Sequence, residues 1–387
     1  MYRPQTLQLR LTLFFHYSSG PFIGGGFAES SATWRWGFYI NLVVGAVFAP
    51  VYLFLIPRID PRPDTAIHTR LRAIDWAGAI LLFGMIAALL MGIAFGGLIY
   101  PWSSDATIAL FTVGGITFSA LAVQQAFALL TTPTNRLFPL QFLRRPQLAV
   151  LFPTIAAAGT ITFVPIFFIP LYYQLARGDS PLTAGLRLLP FILLLVTMNM
   201  VSGVMMGKLR YYSPWFAAGS ALAIVASALL YALLPDINLS SSAIYGFTAL
   251  LGFGTGSFSQ APFSIAQALV LPQESALATS FISCAQVSGA AIGVAIANAV
   301  FLNSAAAGIA KALPALDDDA IQGLLLGTES AVFGALDEDA RIGVAATIAR
   351  TLARVFIITV SGGLLVLVLS AFMWKGKLNL SGIGAGI

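Results

Sequence analysis

Residues 20–41 read GPFIGGGFAESSATWRWGFYIN, a glycine-rich run with one proline that leads into a turn rich in aromatic residues. Glycines carry no side chain, so a neighbouring helix can approach closely along that face. Pro21 adds a bend, because proline removes a backbone donor. The indole rings of Trp34 and Trp36 favour the interface between lipid and water. The stretch therefore predicts the end of one membrane-spanning helix, a short turn and the start of the next.

The composition extends this interpretation to the whole chain. It is 58% hydrophobic and 9% charged, with a mean hydropathy of +0.88, whereas soluble domains carry about 25% charged residues. A helix needs about 20 apolar residues to cross a bilayer, and unpaired backbone groups exclude an open sheet from lipid. We expect an all-α membrane protein with about ten transmembrane helices, in the charge-free runs 11–28, 36–57, 76–104, 106–135, 146–176, 188–207, 211–235, 237–273, 275–310 and 355–374.

The net charge of +5 is explained by the placement of the basic residues. If the N-terminus is cytoplasmic, most of them fall in cytoplasmic loops, as the positive-inside rule requires. Examples are the segments 58–72 and 136–145. The basic excess is therefore topological, and no nucleic-acid partner is predicted.

Several motifs taken together resemble one family. The pattern Gly-Pro-x-x-Gly-Gly from Gly20, followed by Trp-Arg-Trp-x-Phe-x-x-Asn from Trp34, resembles the fifth helix and the entry to the sixth in fourteen-helix drug:proton antiporters of the major facilitator superfamily. Later segments resemble later junctions of the fungal multidrug and toxin efflux pumps in that group, in the same order: 96–102, 170–190, 261–267 and 286–293. The resemblance implies that the first four helices of the family lie outside this sequence.

The resemblance also implies a domain organisation around a major facilitator-type helical bundle, N-terminally truncated. The expected parts are two helices of an N-terminal bundle (1–57), a cytoplasmic linker (58–74), an inserted helix pair with its linker (75–145), and a C-terminal six-helix bundle (146–387) with an outer loop at 305–350. Asp75 is predicted to cap the first helix of the inserted pair. Prolines and glycines are expected to break the spans at 146–176 and 237–273, and such broken helices line substrate paths in transporters.

The function implied by the resemblance is secondary active export of small amphipathic molecules, as in drug or toxin efflux, coupled to protons. The implied partners are a small-molecule substrate, the lipid bilayer and protons, and the implied location is the plasma membrane, with the vacuolar membrane second. The alternative is a transport-inactive truncated membrane protein or an assembly partner. One cysteine and two histidines predict no metal site, no cofactor is expected, and no nucleophile elbow or phosphate-binding loop indicates an enzyme.

Two groups of residues are candidates for the functional site. The hinge or antiporter motif comprises Gly20, Pro21, Gly24 and Gly25, with ordinary helix packing as the alternative. A substrate cavity is predicted from aromatic and amide side chains in apolar runs, namely Phe168, Tyr172, Gln174, Gln260, Gln267 and Gln286.

Alternatives stay open for these side chains. The aromatic residues are equally consistent with core or lipid-facing positions. Buried amides must be hydrogen-bonded, so Gln267 and Gln286 either bind substrate or join helices, and joining helices is favoured for Asn199 and Asn298. Helix packing is also favoured for the pairs Gly92/Gly96, Gly203/Gly207, Gly252/Gly256 and Gly289/Gly293.

Overall fold

The computed structural model describes residues 20, 23–31, 33–55, 66–97, 99–314, 316–326 and 336–373. Within them the charge-free runs from residue 36 onward are largely helical, and most of the run 11–28 lies outside the described residues. Within these ranges regular structure is helical throughout, apart from an isolated bridge between Gly96 and Tyr100. In chain order the helices are α1 (23–29), α2 (Trp36–Pro50, continued by one π-helical stretch Val51–Leu55), α3 (Ile67–Arg72), α4 (Trp76–Phe95), α5 (Asp105–Phe127), α6 (Pro146–Leu175), α7 (Pro181–Arg187), α8 (Leu189–Leu209), α9 (Ser213–Leu233), α10 (Ser241–Gly256), α11 (Ala261–Ala268), α12 (Ser275–Ala312), α13 (Asp318–Leu326) and α14 (Glu338–Ser370).

Eight helical stretches of the described residues are long and apolar enough to cross a membrane. The run 237–273 is not among them, because α10 ends at Gly256 and α11 begins at Ala261. That break agrees with expectation. The run 146–176 was expected to break as well, and this expectation was wrong: α6 is one α-helix that includes Pro153, Pro165 and Pro170. α6 packs against both α12 and α14, and neighbouring helices of this kind allow a proline-containing helix to remain continuous.

Six helical segments surround one hydrophobic core. α6 packs against α12 and α14, α9 packs against α14, and α10 packs against α8 and α9. Fully buried side chains such as Phe191, Phe216 and Phe356 fill the space between them. The helices α4 and α5 pack against each other, and α4 also contacts α12 of the bundle. None of the residues of α2 is buried.

Small residues permit the closest contacts in the bundle. A Cβ atom on Gly289 would lie 2.1 Å from the carbonyl oxygen of Ala156, and one on Gly252 would lie 2.2 Å from that of Phe191. Gly256 and Gly293 have similar contacts, so the packing interpretation holds for those two pairs. It does not hold within this chain for Gly203 and Gly207, which have no atom within 4 Å of an added Cβ.

The segment 305–350 contains more helix than the predicted outer loop. α12 extends to Ala312 and α14 already begins at Glu338, capped by Asp337, which accepts a hydrogen bond from the Ala340 N–H at 2.9 Å. Between them Ile321 and Leu324 of α13 are buried in the core. The charged residues that end the apolar runs do not end the helices: α12 and α14 both continue past them.

Asp75 anchors the helix pair α4–α5 through a buried hydrogen-bond network. Its Oδ1 accepts from the Gly78 N–H at 2.8 Å, which is the predicted cap, and from Gln124 Nε2 at 2.9 Å. Its Oδ2 accepts from Gln125 Nε2 at 2.7 Å and from the Leu137 N–H at 3.0 Å. One carboxylate therefore joins the start of α4, the end of α5 and the segment that leads to α6.

The same network determines how the pKa of Asp75 is shifted. Burial raises the pKa, but the hydrogen bonds from Gly78, Gln125, Leu137 and Gln124 lower it more, and the net shift is downward. A lowered folded-state pKa stabilises the fold above the unfolded value of about 4. This contribution is lost as the pH falls through the lower folded-state pKa.

We expect the substitution Asp75→Asn to loosen this junction, because asparagine offers one acceptor oxygen and turns an NH₂ group toward N–H donors. Hydrogen exchange at the Leu137 amide should become about a hundredfold faster, the size expected when a buried charged acceptor is lost. Asp105→Asn is the matched control, since Asp105 is an exposed carboxylate in the first turn of α5. Equal acceleration in both variants would contradict the assignment of this role to Asp75.

Candidate functional site

The glycine motif contacts the bundle through one glycine. Gly25 is buried, and a Cβ atom there would lie 2.8 Å from Leu182 Cα and 3.0 Å from the Pro181 carbonyl oxygen. Gly20 and Gly24 have no atom within 4 Å of an added Cβ. Pro21 lies outside the described residues. The four predicted positions are therefore not equivalent, and Gly25 alone among the described ones lies against α7.

A carboxylate reinforces this contact. The N–H of Leu182 donates to Glu29 Oε1 at 2.7 Å. Hydrogen bonds from the Ser180 side chain and from the Leu182 N–H hold the pKa of Glu29 below its usual value, against a smaller opposing effect of burial. Glu29 thus accepts from donors at the N-terminus of α7, where a negative charge is favoured. The end of α1 is held on α7 by one steric contact and one charged contact.

A polar cluster lies directly after α6, next to the segment that Glu29 contacts. Arg187 forms an ion pair with Asp179, donates to the Tyr245 hydroxyl at 2.8 Å, and places its guanidinium 4.7 Å from the centre of the Tyr173 ring. These contacts join the end of α6, the α7–α8 junction and the start of α10. The motif in residues 170–190 pointed to this region, but the pairing of its residues was not predicted.

Two of the predicted cavity residues lie in the core. Phe168 and Tyr172 are 2% and 1% exposed. The Phe168 ring packs edge-on against Phe301 at 6.3 Å, and the Tyr172 ring packs against Tyr173 at 5.4 Å. Of the interpretations left open for these aromatic residues, the structure places both in the core: Phe168 is covered at the α6–α12 interface, and Tyr172 is covered beside Tyr173 and Arg177 at the end of α6.

The predicted amides divide into two groups. Gln267 is occupied, since its Nε2 donates to the Thr279 hydroxyl at 2.9 Å and so joins α11 to α12. Gln174 and Gln286 are half-buried and Gln260 is exposed. None of these three side chains has a hydrogen-bond partner among the described residues, and their amides are free to bind another group.

The break between α10 and α11 carries polar groups that sequence reasoning used only in part. The Ser259 hydroxyl donates to Asn199 Oδ1 at 3.0 Å, and the Ser202 hydroxyl donates to the Gly256 carbonyl at 3.4 Å. Asn199 therefore joins helices, as predicted. The serines were missed, although hydroxyls clustered at a helix break in an apolar run were a signal that could have identified them.

The helix pair α4–α5 contacts α12 at a different place. An open groove of about 330 Å³ there is lined by Ile93, Trp102, Ile296, Ala299, Val300 and Asn303. Asn303 Nδ2 donates to the Gly96 carbonyl at 3.1 Å, which docks the α4–α5 turn on α12. No predicted cavity residue lines this groove, so it is separate from the site at the α10–α11 break.

The fold and these contacts can be compared with known proteins. A family model described as Major Facilitator Superfamily matches residues 11–294. This chain belongs to the Major Facilitator Superfamily. The match covers both the glycine motif and the α10–α11 break, whereas the groove residues Ile296, Ala299, Val300 and Asn303 lie beyond it.

Fungal relatives are similar to this major facilitator chain over most of its length. The MFS-type transporter pgmG of Aspergillus terreus is 42% identical over 93% of this chain and 64% of its own. The phomenoic acid biosynthesis cluster MFS-type transporter of Leptosphaeria maculans is 40% identical over 91% and 58%. The efflux pump alnA of Emericella nidulans is 39% identical over 88% and 62%. The chain thus spans less than two thirds of the length of these relatives.

Family membership confirms the predicted fold class, a helical major facilitator protein, and an integral multi-pass membrane location. It also confirms that the chain is not an enzyme, because the family and the relatives carry the names of transporters and efflux pumps.

Proposed function

We propose that this chain acts in secondary active export of small amphipathic molecules, as in drug or toxin efflux. The relatives named efflux pumps support the class of activity. The structural observation that carries the proposal is the break at Ser257–Gln260, where hydroxyl and amide groups collect inside an apolar run. Discontinuous helices of this kind form substrate sites at membrane depth in secondary transporters.

The free amides suit such a substrate. Gln260 and Gln286 can each donate and accept hydrogen bonds, while the helices around them are apolar, and a molecule with a few polar groups on an apolar body matches such amides. Gln174 lies about 20 Å farther along α6 than Gly159, which packs on the backbone of Gln286, so it would contact a different part of the substrate path. Phe168 and Tyr172 support the site from the core, where their packing keeps α6 in place against α12 and the polar end cluster.

The contact of Gly25 and Glu29 with α7 supports a hinge between the N-terminal helices and the bundle. In this proposal the two parts rock against each other about the site, as in other secondary transporters. Proton coupling and a plasma-membrane location, with the vacuolar membrane second, complete the proposal and rest on the resemblance to drug:proton antiporters.

A second candidate is a transport-inactive membrane protein or an assembly partner. The observation that favours it is the fully unburied α2, together with the open glycine face of α8 at Gly203 and Gly207. Helix faces of small residues usually pack against another helix, so these surfaces suit a partner as well as a moving bundle.

If the chain exports as proposed, the purified protein in sealed vesicles should accumulate a fluorescent cationic dye when a pH gradient is imposed, as the resemblance to drug:proton antiporters implies. Accumulation should saturate with dye concentration and collapse when a protonophore is added. Protein-free vesicles are the control. Folded protein that gives no saturable, gradient-dependent accumulation would favour the inactive alternative.

A further inference from the structure

Two arginines lie on the face of α14 that is directed away from the helix bundle. Arg350 and Arg354 are both exposed, although Ala349, Leu352 and Val355 between and beside them are fully buried. Residues four apart lie one above the other on a helix. The two guanidinium groups therefore project from the same face, directed away from the bundle.

That face continues toward the C-terminal end of α14 as an apolar stripe. Ile357, Leu364, Leu365 and Val368 follow at helical spacing and are each about half exposed. From Arg354 to Val368 the helix rises about 20 Å, a large part of the roughly 30 Å hydrocarbon core. We infer that this stripe faces acyl chains, because large apolar residues exposed on a membrane-spanning helix are stable there. The arginines lie at its N-terminal edge, which this placement puts at the depth of the phospholipid headgroups.

Neither arginine has a partner among the residues that the structure describes. Other arginines of the bundle do: Arg145 pairs with Glu274 at 3.0 Å, and Arg187 pairs with Asp179. A guanidinium offers five N–H donors, and a charge beside hydrocarbon needs a counter-group. The most abundant acceptor at this depth is a lipid phosphate, and arginine binds phosphate through paired hydrogen bonds.

We propose that Arg350 and Arg354 together bind the phosphate of one anionic phospholipid in the leaflet around the N-terminal half of α14. Their Cβ atoms are about 6 Å apart on the helix, so two long side chains can converge on one headgroup. The stripe below would hold the acyl chains of the same lipid. Because the stripe binds acyl chains as well, this arrangement favours a phospholipid over free phosphate. The proposal does not depend on whether the chain transports.

The test counts phosphatidylserine molecules retained by the purified chain in native mass spectrometry, after release from micelles that contain phosphatidylcholine and phosphatidylserine. We expect the double variant R350Q/R354Q to bind phosphatidylserine about tenfold more weakly, as expected when charge-assisted hydrogen bonds are lost. Lys208→Gln with Arg210→Gln is the matched control, because it removes the same charge from exposed positions at the end of α8. That variant should retain phosphatidylserine as the original chain does.

Three outcomes would overturn the proposal. Equal losses in both double variants would mean that net charge alone attracts the lipid. Unchanged binding in R350Q/R354Q would mean that the arginines only extend into water. Displacement of phosphatidylserine by an equal concentration of inorganic phosphate would mean that the site takes a free anion. Thermal unfolding within the range of the original chain verifies that the variants are folded.

Discussion

The substitution Gly289→Val is expected to disrupt the bundle, whereas Gly203→Val is expected to leave it nearly unchanged. A side chain at Gly289 would place its Cβ 2.1 Å from the Ala156 carbonyl oxygen, which is backbone and cannot rotate away. α6 and α12 would have to separate. Overpacking of this kind typically costs about 1–3 kcal/mol. We expect the larger figure here, because two long helices would have to move apart along their shared contact.

The comparison with Gly203 isolates the steric effect. Both glycines belong to Gly-xxx-Gly pairs inside apolar helices, and valine has the same intrinsic helix preference at either position. An added Cβ at Gly203 meets no atom within 4 Å. Any difference between the variants therefore reports the α6–α12 contact.

Cys284 provides the measurement. It is the single cysteine of the chain, and it is half-buried in α12 close to Gly289. A dye that fluoresces on reaction with thiols should report a much lower unfolding temperature for Gly289→Val than for Gly203→Val. If the two variants unfold together, the close packing of α6 on α12 does not support the bundle.

The second large effect is expected at Gly25. Gly25→Leu should abolish gradient-dependent dye accumulation, because the new side chain would push α1 away from Leu182 and Pro181 and separate Glu29 from its donor. At the cost of overpacking, roughly 1–3 kcal/mol, the closed contact would be populated roughly 5-fold to 150-fold less. Gly24→Leu adds the same side chain one residue away, where nothing lies within 4 Å, and should transport normally.

Hydrogen exchange at the Leu182 amide tests the contact without relying on transport. This N–H is bonded to Glu29, so Gly25→Leu should accelerate its exchange and Gly24→Leu should not. The amount of folded protein is measured for both variants. Equal losses of transport and protein amount in the two variants would leave general helix packing as the explanation for the motif.

The membrane-spanning helices, one helix cap and two glycine packing pairs could be predicted from the amino-acid sequence. The length of each charge-free run determines whether a helix can cross lipid, and no distant residue is needed for that inference. The cap at Asp75 is equally local, because a carboxylate next to the first turn reaches the free N–H groups of its own helix. The glycine pairs Gly252/Gly256 and Gly289/Gly293 were identified as packing sites for the same reason.

What the sequence could not decide is the direction in which each residue faces. Gly24 and Gly25 are neighbours in one motif, yet only Gly25 lies against α7, and Gly203/Gly207 has the same pattern as Gly289/Gly293 but an open face. Phe168 and Tyr172 were placed in a cavity, and the tertiary structure puts them in the core. The physical reason is that run length, capping and small-residue spacing depend on near neighbours in the chain, whereas facing direction depends on which distant helix occupies each side.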